Sequence, residues 1–207
     1  MKILTRFLVL TGVALLAQLH AHAQTPDTVC VNSSAVPYSV TNVPTSTYAW
    51  TLSGGGTLSS PSGNAITVNW GSTPGTYQLQ VQETSGAGCE GDPVSLNVVV
   101  IPLATASISG STAMCYSDGQ PTITISLTGV APYDFTYTDG TTPVTVNGWN
   151  SSTYTFTASA TVPSAGGSPA VTTYSMVSVQ NKFCSGTTSG SATVTVNPKP
   201  VTSAISH

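Results

Sequence analysis

The chain has 207 residues, enough for one or two domains of ordinary size, and only 5% of them are charged against about 25% in a typical soluble domain. Hydrophobic residues make up 40%, so core material is not short, as it is in disordered chains. With a net charge of −3 and four basic side chains in all, the chain cannot supply the clustered Lys and Arg that phosphate backbones or anionic membranes require.

Residues 1–23 read as a cleavable export signal. Lys2 and Arg6 form a short basic start, Phe7 to Leu19 is mostly apolar, and Ala21-His22-Ala23 is a small-x-small cleavage site ahead of Gln24. The apolar run is too short for a membrane anchor, which needs about 20 residues. Removing it leaves Lys182 and Lys199 as the cations, no Arg, and His207 as the one His. The expected location is therefore exported: extracellular or cell-surface, or periplasmic.

Four cysteines follow, Cys30, Cys89, Cys115 and Cys184. An even number in an oxidising compartment reads as two disulfides, with three connectivities open. If domains fold as units, a division near Pro102 favours Cys30–Cys89 and Cys115–Cys184; the rival places Cys89–Cys115 across the boundary. The paired C-x₂₋₄-C spacing of zinc sites is missing.

Beyond the signal, apolar residues alternate with polar ones at a period of two, the pattern of half-buried antiparallel strands. Tyr48, Trp50 and Leu52 share one face; Ile66, Val68 and Trp70 another; Tyr77, Leu79 and Val81 alternate with three glutamines; Leu96, Val98 and Val100 run to Pro102. Turn clusters separate them: Gly54-Gly55-Gly56, Pro61 to Asn64, Thr73-Pro74-Gly75 and Gly86 to Gly91. The second half repeats the plan. Ile123, Ile125 and Leu127 are followed by Tyr133, Phe135 and Tyr137, then by the hairpin dipeptide Asp139-Gly140. Val144 and Val146, Tyr154 and Phe156, Val171 to Gln180, and Ala192, Val194 and Val196 complete the set before Pro198. Each half opens near a Cys, carries an aromatic strand in its middle, and ends with a second Cys in a loop, a last alternating strand and a Pro. This internal duplication predicts an all-β chain of two tandem antiparallel sandwiches, 24–102 and 103–198, with a flexible tail at 199–207.

Val29-Cys30, Tyr48-Ala49-Trp50-Thr51, Gly54-Gly55-Gly56, Ile66-Thr67-Val68-Asn69-Trp70 and Gly88-Cys89 resemble the PKD-like repeat of secreted surface proteins from gliding, type-nine-secreting Gram-negative bacteria. Gly129-Val130-Ala131-Pro132-Tyr133 and Tyr137-Thr138-Asp139-Gly140 resemble a companion immunoglobulin-like module. The resemblance implies Ig/PKD-like β-sandwiches that act as spacers or adhesive units without catalysis. Trp50 lies well downstream of Cys30, and Cys89 lies in a glycine loop, unlike antibody domains. Each bridge is therefore expected to tie loops or strand ends at one pole.

No catalytic, metal or cofactor site is expected. Acid–base chemistry needs a positioned His or a carboxylate pair. The carboxylates Asp27, Glu83, Glu90, Asp92, Asp118, Asp134 and Asp139 are few and mostly in turns, without the D-x-D-x-D-G run of a calcium loop. Trp50 and Trp70 are in phase with core positions. Trp149, in the turn-like Asn147–Ser152, is either a cap on the second core or an exposed contact for a sugar or partner; Tyr116 beside Cys115 is equally ambiguous. The leading function is a non-enzymatic adhesion or scaffolding module whose partner is a protein or glycan at the cell surface. The alternatives are a carbohydrate-binding protein using exposed aromatics and an accessory subunit of an envelope assembly.

Overall fold

The structure, a computed structural model, describes residues 24–207; the expected export signal at 1–23 lies outside the described residues. Every regular element from Asp27 to Asn197 is a β-strand, as the period-two alternation dictates. The fold class is all-β, with two immunoglobulin-like sandwiches in tandem.

The first sandwich is built from β1 (Asp27–Cys30), β2 (Val36–Ser39), β3 (Thr47–Leu52), β4 (Gly56–Leu58), β5 (Ala65–Trp70), β6 (Gly75–Thr84) and β7 (Val94–Ile101). One sheet has the order β1-β7-β6-β3 and the other β2-β5-β4. Inward residues of both sheets meet in one core, with Trp50, Val68, Trp70, Leu79, Val98 and Val100 buried. The glycine run at 54–56 is required by its surroundings. Gly55 has φ +73°, and a Cβ there would overlap the Tyr77 ring, so only glycine lets the turn close over that aromatic.

The second sandwich comprises β8 (Thr105–Ser109), β9 (Thr112–Cys115), β10 (Thr122–Thr128), β11 (Tyr133–Thr138), β12 (Pro143–Trp149), β13 (Thr153–Thr157), β14 (Ala170–Asn181), β15 (Thr187–Ser189) and β16 (Ser191–Asn197). Its sheets are ordered β13-β10-β8-β15 and β12-β11-β14-β16-β9. Ile123, Ile125, Phe135 and Val194 are among its least exposed residues. Three residues, Pro102 to Ala104, connect the two sandwiches between β7 and β8.

Most ladders are antiparallel, but in each sandwich the short strand that ends on the first cysteine lies parallel to the last strand: β1 with β7, placing Cys30 opposite Ile101, and β9 with β16, placing Cys115 opposite Asn197. The first cysteine of each half therefore stands at the pole where the chain leaves the sandwich, here termed the exit pole. The second cysteine sits in the connection before the last strand, at the opposite, hairpin pole. A strand of eight residues, such as β7, separates the poles by about 26 Å, far beyond the ~4.4–6.8 Å between Cα atoms that a disulfide spans. The expected Cys30–Cys89 and Cys115–Cys184 bridges are thereby corrected. The structure joins Cys30 to Cys184, with Cα atoms 5.8 Å apart, and leaves Cys89 and Cys115 as exposed free thiols. The bridge ties two sandwiches together instead of closing one pole of each.

Candidate functional site

Four of the carboxylates, Asp27, Asp118, Asp134 and Asp139, serve local structure. Asp139 Oδ1 accepts from the amides of Thr141 and Thr142, at 2.9 and 2.8 Å, and from the Thr141 hydroxyl at 2.8 Å. These donors hold its carboxyl down at about 2 and fix the β11–β12 turn, as an Asx turn does. Asp134 accepts from the Gly148 amide at 2.7 Å, Asp118 from the Cys115 amide at 2.6 Å, and Asp27 from the Tyr38 hydroxyl at 2.9 Å. Burial, then that bond and the Asp27 charge, push the Tyr38 phenol upward. Among the described residues no group of three or more His, Cys, Asp or Glu is placed to hold a metal ion.

The chemistry-bearing residues gather at the poles. At the joint between the sandwiches, the exit pole of the first presents Cys30, whose carbonyl accepts from the Ser33 amide at 3.2 Å. The hairpin pole of the second presents Cys184, held by the side chain of Asn181, whose Oδ1 accepts from the Phe183 and Cys184 amides at 2.9 and 2.7 Å. The backbone completes the loop, with the Asn181 amide donating to the Cys184 carbonyl at 2.9 Å. Gly186 then runs so close to the Ala104 carbonyl that a Cβ would overlap it, which sets the loop against the incoming linker. Ile101 and Cys184 are both buried yet belong to neither sandwich core; they lie in the joint.

At the far end of the first sandwich the hairpin between β6 and β7 carries the free Cys89 beside an open cleft of about 530 Å³. Tyr48 and Val81 contribute to its wall, with Val43 and Val94 at the surface, and Glu83, Glu90 and Asp92 also line it. The Tyr48 hydroxyl braces one side, accepting from the Val43 amide at 2.8 Å and donating to the Thr41 carbonyl at 3.2 Å. At the opposite end of the molecule the exit pole of the second sandwich carries the free Cys115 and the exposed Tyr116, with Lys199 Nζ 5.8 Å from that ring.

Trp149 is not in a turn. It is the last residue of β12, where the register with β11 slips between Tyr133 and Phe135. Gly148, at φ +67°, lies in that irregularity, an extra-residue kink whose residues are turn-like in sequence. The indole is half-buried, edge-on to Tyr154 at 5.1 Å, and its Nε1 donates to the Thr153 carbonyl at 3.2 Å. Trp149 and Tyr116 are thus not brought into one site. Sequence reasoning missed Asn181 and Ser85, the side chains that hold the two hairpin-pole loops. Their signal was an Asn or Ser a few residues ahead of a Cys, the Asx and Ser/Thr turn chemistry.

Residues 17–98 match a protein family described as a PKD-like domain. Among curated protein sequences none matches the chain. Solved structures similar to it include a three-immunoglobulin-domain fragment of titin, with a TM-score of 0.50 and 13% identity, covering 84% of this chain and 63% of that one. A fragment of intimin scores 0.40 at 13% identity, covering 84% of this chain and 96% of that one. Extracellular domains 3–5 of Drosophila OTK score 0.42 at 12%, covering 86% and 59%. The chain thus spans less than two thirds of the titin fragment's length, and at 13% identity that likeness is one of fold.

Proposed function

We propose that this chain is an exported, non-catalytic scaffolding or adhesion module in which two immunoglobulin-like sandwiches work as one stiff unit. The observation that carries the reading is the Cys30–Cys184 bridge across a joint whose covalent linker is only three residues long. Tandem modules joined by a linker alone swing by default; a second covalent tie beside the linker removes most of that freedom. A structural disulfide also fits an oxidising compartment. The faces rich in Ser and Thr solvate the sheets without charge, which suits contact with a protein partner at a cell surface.

Small-angle scattering on the oxidised chain and on the Cys30→Ser/Cys184→Ser double variant tests this. The oxidised chain is expected to give one narrow distribution of lengths and the variant a broad one. Identical profiles would remove the stiff-unit reading. Beads coated with the oxidised chain are expected to capture cells bearing the partner, and coated beads that capture no more than bare ones would remove the adhesive role.

A further inference from the structure

The joint inside the molecule has a counterpart at the two outer poles of the sandwich pair. Cys115 stands in the second sandwich where Cys30 stands in the first. Each ends a strand parallel to the last strand of its sandwich, in register with that strand's final residue. Each gives its carbonyl to the amide three residues on, Ser33 at 3.2 Å and Asp118 at 3.0 Å. Cys89 likewise stands where Cys184 stands. The Ser85 amide donates to the Cys89 carbonyl at 2.9 Å, as the Asn181 amide does to Cys184 at 2.9 Å. The Ser85 Oγ accepts from the Cys89 amide at 3.1 Å, as Asn181 Oδ1 does from that of Cys184 at 2.7 Å. The residue after each Cys forms an isolated bridge to the end of the preceding strand, Glu90 to Thr84 and Ser185 to Gln180.

We infer that the chain joins to a second copy of itself head to tail, through a disulfide between Cys115 of one copy and Cys89 of the next. The contact repeats the Cys30–Cys184 joint already present within each copy. An exit-pole cysteine meets a hairpin-pole cysteine inside the molecule because the two poles abut there; the same pair stands unpaired and exposed at the outer ends. The surfaces fit. The Cys89 cleft is apolar and carries Glu83, Glu90 and Asp92, whereas the exit pole brings the Tyr116 ring with Lys199 over it. The carboxylate at that pole, Asp118, is occupied by the Cys115 amide. A contact between unlike surfaces is heterologous, so repetition gives an open filament or a ring, not a closed two-fold dimer.

The bond forms by exchange with an external disulfide, either a small molecule or an oxidoreductase. The Cys89 thiolate attacks it, releasing one thiol and leaving a mixed disulfide. The Cys115 thiolate of the neighbouring copy then attacks the Cys89 sulfur and releases the second thiol. Two protein thiols are oxidised, one external disulfide is reduced to two thiols, and the two protons pass to the released thiolates. The inference does not depend on the adhesive reading, since a filament of this kind forms whether or not the chain binds another partner.

The test is non-reducing electrophoresis of the exported chain in an oxidised/reduced glutathione buffer. The wild type is expected to give a ladder of multimers that collapses to monomer with reductant. Cys89→Ser alone and Cys115→Ser alone are expected to stay monomeric, and their equimolar mixture to stop at a dimer that yields a Cys89–Cys115 cross-linked peptide. Both substituted side chains are exposed, and unchanged circular dichroism verifies folding. Lys199→Glu is expected to slow the ladder by about three- to tenfold at low salt. A wild type that remains monomeric, an internal Cys89–Cys115 bridge, or a dimer from either single variant by itself would overturn the inference.

Discussion

The two sandwiches share a plan but anchor their cores differently. In the first, two tryptophans carry much of the bulk, and Trp50 uses its Nε1 to donate to the Gly63 carbonyl at 2.8 Å, so that a core residue also pins a loop. In the second, smaller aromatics form a tier across both sheets. Phe156 stacks on Tyr137 at 4.3 Å and meets Tyr174 edge-on at 5.4 Å, while Phe135 meets Tyr154 at 5.3 Å. The bond from core to loop moves to Tyr174, whose hydroxyl accepts from the Ser159 amide at 2.9 Å and donates to its carbonyl at 3.1 Å. A large ring with a polar tip fills the core and satisfies a loop in one residue, and each sandwich places that device on a different strand.

The largest break in this comparison comes from the centre of the tier. Phe135→Ala is expected to destabilise the second sandwich by about 3–5 kcal/mol, with the first melting as before in the Cys30→Ser/Cys184→Ser background; denaturant unfolding followed by tryptophan and tyrosine signals reads both. Next come the polar tips. Tyr48→Phe and Tyr174→Phe each leave loop groups without their partner, at about 1–3 kcal/mol, with faster hydrogen exchange at the Val43 and Ser159 amides respectively. Trp149→Ala is expected to cost the second sandwich about 1–2 kcal/mol, seen as a lowered melting temperature, because the indole packs on Tyr154.

The smallest effects come from pH. Asp139 is held at about 2 by its backbone and Thr141 donors. Since its folded value lies below the unfolded one, the stability it lends is present above about pH 4 and fades as pH falls toward 2. Asp139→Asn should flatten that acid limb in pH-dependent melting. Tyr137 is raised to about 12, by burial first and then by Tyr154 and Tyr174. Its contribution is complete below pH 10 and is lost as pH rises through about 12, so Tyr137→Phe should flatten the alkaline limb of the second sandwich.

Sequence reading found the long strands because burial on one face writes itself into alternate residues: Tyr48 and Trp50, then Ile66, Val68 and Trp70, then Ile123, Ile125 and Leu127 are all inward as the pattern requires. It passed over short edge strands such as β15, three exposed residues whose partner lies far away in the chain. It misplaced Trp149 because a kinked strand at Gly148 looks, residue by residue, like a turn.

The composition, the alternation and the duplicated Cys-to-Pro plan were enough to determine an all-β tandem, since hydrophobic periodicity and turn chemistry are local properties of the chain. The cysteine pairing was decided only by tertiary structure. Parallel pairing of a four-residue strand with the last strand of its sandwich sends one cysteine to each end of the fold, and β1 and β9 carry too few residues to announce a direction. Once the poles are fixed, distance alone forbids the bridges within each sandwich and lets Cys30 meet Cys184, leaving a thiol exposed at either end of the molecule.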